Sequence, residues 1–299
     1  MPLFETKRSN IFEDATWLDP LSDPPGGTPL CRDGYLKLMA SHISEVFRTG
    51  RARNLFIWGP PGTGKTVCVQ YLLKEIQQHA EDIKVSVATT YVNAGRTRNP
   101  YYTLLEIVKQ LGLAVPDVGW QFFRLKRAFE NVLNDKAVVI AVDEVESILF
   151  KEKEPLIYYL NRQPKTTLIL ISNKLSQATQ LPERCLSTLQ PATIKLEPYT
   201  GAEALKILKA RAEQAFKPGV ISDELLDTVS KATGDMADIR LGISMLLTAG
   251  QSAEQAGRPV INRKDVELAV NNAERIKDLT KINVLSKRIK KRLGETIDF

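Results

Sequence analysis

The stretch "NLFIWGPPGTGKTVCVQYLLKEI", Asn54 to Ile76, decides how this chain folds. It contains three incompatible patterns in a row. Leu55 to Trp58 is a short apolar run, the signal of a buried strand. Gly59, Pro60, Pro61 and Gly62 cannot continue a strand ladder, because proline lacks the N–H and glycine weakens pairing. From Lys65 onward, Val67, Val69, Leu72, Leu73 and Ile76 recur at helical spacing. The order is strand, glycine-rich loop, helix.

In that context Gly59-x-x-x-x-Gly64-Lys65-Thr66 reads as a phosphate-binding Walker A loop. Gly62 and Gly64 let backbone N–H groups approach an anion closely at a helix N-terminus. The run Gly59, Pro60, Pro61, Gly62, Thr63, Gly64, Lys65, Thr66 and Val67 is therefore expected to cradle the phosphates of ATP or ADP. Lys65 would reach the β- and γ-phosphates as a point charge, and Thr66 would ligate Mg²⁺.

Two further apolar runs end in polar groups. "KAVVIAVDEVESILF" places Asp143 and Glu144 after six apolar residues, at the carboxyl end of a strand, where parallel α/β sheets bind ligands. Asp143 would hold Mg²⁺ through water, and Glu144 would orient or deprotonate the attacking water. "TTLILISN" delivers Asn173 to the same edge. Its amide is placed to contact the γ-phosphate and lytic water; an asparagine capping the following segment is the alternative.

The chain is 299 residues long, enough for one large and one small domain. Its 43% apolar and 25% charged content is that of a soluble globular protein. No apolar run approaches the length of a membrane span, and "MPLFETKRSN" lacks the apolar region of a signal peptide, so the expectation is a cytoplasmic protein with no membrane partner. Cys31, Cys68 and Cys185 are far apart and, with only His42 and His79 beside them, form no zinc spacing. Net charge is +6, from 41 basic and 35 acidic residues. Residues 281–299 hold six of those basic and two of the acidic groups, leaving 35 and 33 in the rest, so the basicity is concentrated in the tail.

From Thr200 the pattern is helical throughout. Thr200-x-x-Glu203 is a capping box before "ALKILKARAEQAF", with Leu205, Leu208, Ala212 and Ala215 on one face. Ser222 starts a second helix, Asp235 or a neighbour a third that carries Arg240, and Asn262 a fourth with Val266, Ala269, Val270, Ala273 and Ile276 apolar.

The order Walker A, Asp143-Glu144, strand-terminal Asn173 resembles the AAA+ ATPases, with Asn173 as sensor 1. Ser172 to Arg211 is similar, nearly residue for residue, to the archaeal origin-recognition and replication-licensing initiators. "NIFEDATWLDP" with Arg32 resembles their entry segment, and "YVNAGRTRNPYYTLLEIVKQLG" their second strand and following helix. "GDMADIRLGISMLLTAG" resembles their sensor 2 helix, which makes Arg240 the sensor 2 arginine. The resemblance covers residues 8–278 and implies an α/β AAA+ module: a P-loop parallel sheet flanked by helices, then a small all-helical lid. The expected division is 1–199 for the N-terminal segment and ATPase base, 200–280 for the lid and 281–299 for a basic tail.

The resemblance further implies ATP binding, slow hydrolysis and a switch controlling binding to double-stranded, origin-like DNA, or recruitment of a replicative helicase. Other AAA+ subunits are possible partners. Three departures bear on this. Glu146 stands where the family more often has Asp. Thr188 occupies the position of a trans-acting arginine finger, with Arg184 nearby. The family's winged-helix domain is not represented in these 299 residues. Two candidate DNA contacts follow. One is Trp120, Phe122 and Phe123 beside Arg124, Lys126 and Arg127; the bland alternative is an amphipathic helix with Phe122, Leu125 and Phe129 inward. The other is the tail, where Ile282, Leu285, Ile289 and Leu293 line one stripe opposite Lys287, Arg288, Lys290 and Lys291. A solvated helix face, DNA backbone contact and a membrane surface are all open for it. A mobile-element or clamp-loader-like ATPase adaptor acting through protein partners is the alternative function.

Overall fold

In the computed structural model, residues 9–117, 119–149, 156–176 and 183–292 are described; for residues 184 and 280–292 the description is of the backbone alone. The chain forms two compact units, Cys31–Glu197 and a second made of Met1–Leu30 with Pro198–Phe299.

Cys31–Glu197 is built on five strands: β1 (Leu55–Trp58), β2 (Val87–Asn93), β3 (Ala137–Asp143), β4 (Thr166–Ser172) and β5 (Ala192–Lys195). All pair in parallel in the order β2-β3-β4-β1-β5. Its helices are α1 (Asp33–Ile43), α2 (Val46–Thr49), α3 (Lys65–Asp82), α4 (Ala94–Thr97), α5 (Pro100–Gln110), α6 (Phe122–Asp135), α7 (Leu156–Arg162) and α8 (Glu183–Leu189). Every residue of β3 and β4 is buried. The reason is the period of two. Val138, Ile140 and Val142 of β3, with Leu168 and Leu170 of β4, face a layer from α5, α6, α7 and α8. Val139, Ala141, Ile169 and Ile171 face α1 and α3 on the other side. A strand covered on both faces must be apolar throughout, which is why these runs lack alternation.

The sheet's outer edge at β2 is closed by a side chain. Gln110 of α5 accepts from the Tyr91 N–H at 3.0 Å and donates to the Tyr91 carbonyl at 2.8 Å, imitating a neighbouring strand.

α6 divides the aromatic–basic segment into a packed and an exposed side. Leu125, Phe129, Val132 and Leu133 are buried, and Trp120 and Phe122 pack partly into the same core. Phe123 alone of the three aromatics stands out, 60% exposed. Arg124 lies over the Trp120 ring, and Lys126 lies over Phe122 and Tyr159. The helix packs by the face that the amphipathic alternative expects, and Phe123, Arg124 and Arg127 lie on its exposed side.

The second unit carries α9 (Gly201–Ala215), α10 (Asp223–Met236), α11 (Ile239–Gln255) and α12 (Arg263–Arg292). The Thr200–Glu203 capping box opens α9 as expected, and Ser222 caps α10. Asp235 is not the third cap: α10 runs on through Met236, Ala237 turns left-handed, and Asp238 accepts from the Arg240 N–H. Ile276 is exposed rather than apolar-facing. The expected boundary at 280/281 falls inside α12, and the tail's side chains lie outside the described residues, as do residues 293–299 altogether.

The N-terminal segment, grouped with the base in the sequence reading, packs on these helices. Phe12 stacks on Phe216 at 5.4 Å, and Arg211 of α9, 5% exposed, donates to the carbonyls of Trp17 and Ser22 and to the Ser22 hydroxyl. A buried guanidinium needs such acceptors, and the segment's turns supply them.

α12 is locked at its start. Asp265 accepts two bonds of 2.6 Å from Arg258, one from the Ser252 hydroxyl and one from the Asn262 N–H. The Arg258 guanidinium holds the Asp265 carboxyl down to about 2, against the ordinary 3.8. The stability this contributes is complete above pH 3.8 and is lost as pH falls through about 2. Asp265→Ala is expected to cost about 2 kcal/mol at neutral pH, a cap plus charge-assisted hydrogen bonds. Its deficit should shrink between pH 4 and 2; denaturant melts of both proteins across that range check this.

Candidate nucleotide site

The P-loop lies at the carboxyl end of β1, between β4 and β5; β1 leads into α3 on one face of the sheet and β4 into α8 on the other. Gly59 sits at φ 156°, and a Cβ there would meet the Leu196 carbonyl oxygen at 2.3 Å, so no other residue fits. Gly64, at φ 82°, is the left-handed residue from which α3 starts.

Arg32, 2% exposed, donates to the Thr63 carbonyl through Nε and Nη2 at 3.2 and 3.1 Å, and to the Glu197 carbonyl at 2.7 Å. In a trans peptide the N–H opposes the C=O. Tying the Thr63 carbonyl to Arg32 therefore turns the Gly64 N–H the other way, as an anion nest requires. Arg32 stands at a position the resemblance names without a role; its acceptors are backbone carbonyls, which leave no mark on a sequence.

Lys65, 7% exposed, donates to the carbonyls of Gly59 and Pro60, both at 2.8 Å, and to Asn173 Oδ1 at 3.1 Å. The expected sensor 1 amide is thus joined to the P-loop ammonium. Thr66 donates its hydroxyl to Asp143 Oδ2 at 2.6 Å. Asp143 is 6% exposed and accepts the Glu144 N–H on its other oxygen at 2.8 Å.

Glu144 is exposed and left-handed, at φ 49° and ψ 43°. A non-glycine residue in that region stores strain, a feature concentrated at functional sites. Its carboxylate lies over the α carbon of Gly95, where a Cβ would come within 1.9 Å of Oε2. Glu146 follows, its carboxyl raised by burial and one oxygen, Oε2, without a hydrogen-bond partner.

These residues fit Mg²⁺ held with a nucleotide. A hydroxyl and one carboxylate, 2.6 Å apart, suit an ion whose other ligands are water and phosphate oxygens. Among the described residues no group of three or more His, Cys, Asp or Glu stands together as a metal cage. Burial pushes the Cys68 thiol up to about 12, leaving it inert.

Arg240 belongs to the helical unit. It occupies the first turn of α11, where its guanidinium binds the carboxylate of its own cap, Asp238, at 2.7 and 3.0 Å. Thr188 lies on α8, its hydroxyl on the Cys185 carbonyl; the Arg184 side chain is outside the described residues. No described helix is long and apolar enough to cross a membrane.

Known proteins match both units. The AAA domain family model matches residues 48–180, and the Cdc6 AAA+ ATPase-type lid domain model matches residues 205–271. The ORC1-type DNA replication protein of Pyrococcus furiosus is 29% identical over 81% of this chain; the chain spans 61% of that relative's length. ORC1-type DNA replication protein 1 of Sulfurisphaera tokodaii is 31% identical over 91% of this chain and 70% of its own. The Aeropyrum pernix ORC1 protein, solved in complex with DNA, superposes with a TM-score of 0.79 at 26% identity, over 90% of this chain and 72% of that one. The strand order, the P-loop site, the helical lid and these likenesses place the chain in the ORC1-type DNA replication protein family of AAA+ proteins.

Proposed function

We propose that Cys31–Glu197 binds ATP with Mg²⁺ and hydrolyses it slowly, and that the bound nucleotide controls contact with double-stranded, origin-like DNA or recruitment of a replicative helicase or another AAA+ subunit. One observation carries the reading. Lys65 with Thr66, Asp143 and Asn173, from three separate segments, are joined by hydrogen bonds at one edge of a parallel sheet. The loop Gly59–Val67 cradles phosphate, Thr66 and Asp143 hold the cation, and Glu144 prepares the water. Asn173 from the sheet and Arg240 from the lid sense the γ-phosphate. Bound Mg²⁺ supplies neutralisation of phosphate charge. Loss of the γ-phosphate removes what the two sensors read, which lets hydrolysis act as a switch.

The DNA half of the reading draws support from the relative solved in complex with DNA and from the exposed Phe123, Arg124 and Arg127 of α6. Its test is a titration of duplex DNA into the full chain at two salt concentrations, with ATP and with ADP. Affinity should fall steeply with salt, because phosphate contacts release counterions, and should differ between nucleotides. Salt-insensitive, nucleotide-insensitive affinity would favour an adaptor that works through protein partners.

A further inference from the structure

Tyr91 stands on β2, the outermost strand, and nothing in the P-loop motifs points to it. β2 and β3 pair with Tyr91 opposite Ala141 and Asn93 opposite Asp143. Residues two apart on neighbouring strands share a face, so Tyr91 and Asp143 are diagonal neighbours within reach of a long side chain. The Tyr91 hydroxyl donates to Asp143 Oδ2 at 2.9 Å, on the same oxygen that accepts from Thr66 at 2.6 Å. The Glu144 N–H occupies Oδ1. Three donors from three places thus fix both rotations of one short carboxylate. Burial, and next the charge of Asp143, push the Tyr91 phenol well above its usual range, so it stays a donor at neutral pH.

Tyr91 is itself anchored. The Gln110 amide that closes the sheet edge binds this residue's own N–H and carbonyl. The backbone beneath the phenol is therefore fixed although, among the described residues, no strand pairs on that side. The consequence concerns Thr66. When its oxygen turns a lone pair to a cation, its own hold on Asp143 changes, while the Tyr91 bond keeps the carboxylate oriented.

We propose that Tyr91 is a positioning residue for the divalent-cation site: acting through Asp143, it sets how strongly Mg²⁺ reinforces nucleotide binding. The proposal rests on the nucleotide-site reading above. Groups that orient a metal-holding side chain are commonly worth 10- to 100-fold in metal affinity.

The experiment is calorimetric titration of ATP into the full chain, once in EDTA and once with Mg²⁺. Tyr91→Phe should match the wild type in EDTA, which also reports an intact fold, and lose about tenfold of the Mg²⁺-dependent gain. In an Asp143→Asn background the same substitution should change nothing further. Equal Mg²⁺ gains in wild type and Tyr91→Phe would overturn the proposal, as would an equal loss with and without Mg²⁺, which marks a structural role. A Lys65→Ala protein that binds ATP like the wild type would instead overturn the nucleotide site itself.

Discussion

Lys65→Ala is expected to weaken ATP and ADP binding by about 100-fold or more, since removing one partner of a buried charge interaction costs about 2–5 kcal/mol. Geometry makes the loss specific. The ammonium is buried and aimed by two loop carbonyls and by Asn173, so it is already positioned for a phosphate. Alanine leaves α3 a good helix former at its first residue, and Gly64 still supplies the left-handed start. The fold should therefore melt close to the wild type while calorimetry finds nucleotide binding gone. Wild-type affinity in this variant would remove the P-loop from the account.

Glu144→Gln is expected to behave oppositely. The amide keeps size and shape but cannot accept the proton of the attacking water. Affinity for ATP should stay within a few fold, and turnover should fall by about 10²- to 10⁴-fold, the usual worth of a positioned general base. Glu144 is placed for this by its neighbours. Its N–H is tied to Asp143, and its left-handed backbone turns the side chain out of the strand's alternation toward Gly95. Phosphate-release assays under saturating ATP check the prediction, and undiminished turnover would remove Glu144 as the water-activating residue.

Much of this site could be read in the sequence, because its parts are local. A P-loop is eight consecutive residues between a strand and a helix, and Asp143, Glu144 and Asn173 each end an apolar run. Long apolar strands also announced a sheet covered on both faces, as β3 and β4 are. What escaped depends on pairing between distant segments. Tyr91 reaches Asp143 because β2 pairs with β3, and strand order is not written in either strand. Nothing in the α9 sequence marks Arg211; its acceptors lie some 190 residues earlier, in turns whose carbonyls carry no sequence signature. The N-terminal segment was grouped with its sequence neighbours for the same reason. Asp238 was missed as a cap because Asp235, three residues before it, is an equally good capping type, and only the left-handed Ala237 tells where α10 ends.

Arg240 shows the other limit. Resemblance alone makes it a sensor, and within its own unit its guanidinium is engaged by Asp238, which raises its pKa through that hydrogen bond. A sensing role would require phosphate to compete with that carboxylate for the fork. The pair is about half exposed on the arginine side, so its own contribution to stability is small, and exchange of partners carries little cost.

One chain is expected both to hold and to cleave ATP, with cleavage dependent on Glu144. The most direct measurement is to incubate the full chain and its Glu144→Gln variant with labelled ATP and Mg²⁺, separate free nucleotide, and identify what remains bound after denaturation. The account predicts ADP on the wild type and intact ATP, in similar amount, on the variant. Intact ATP on both proteins, ADP on both, or no retained nucleotide on either would contradict it.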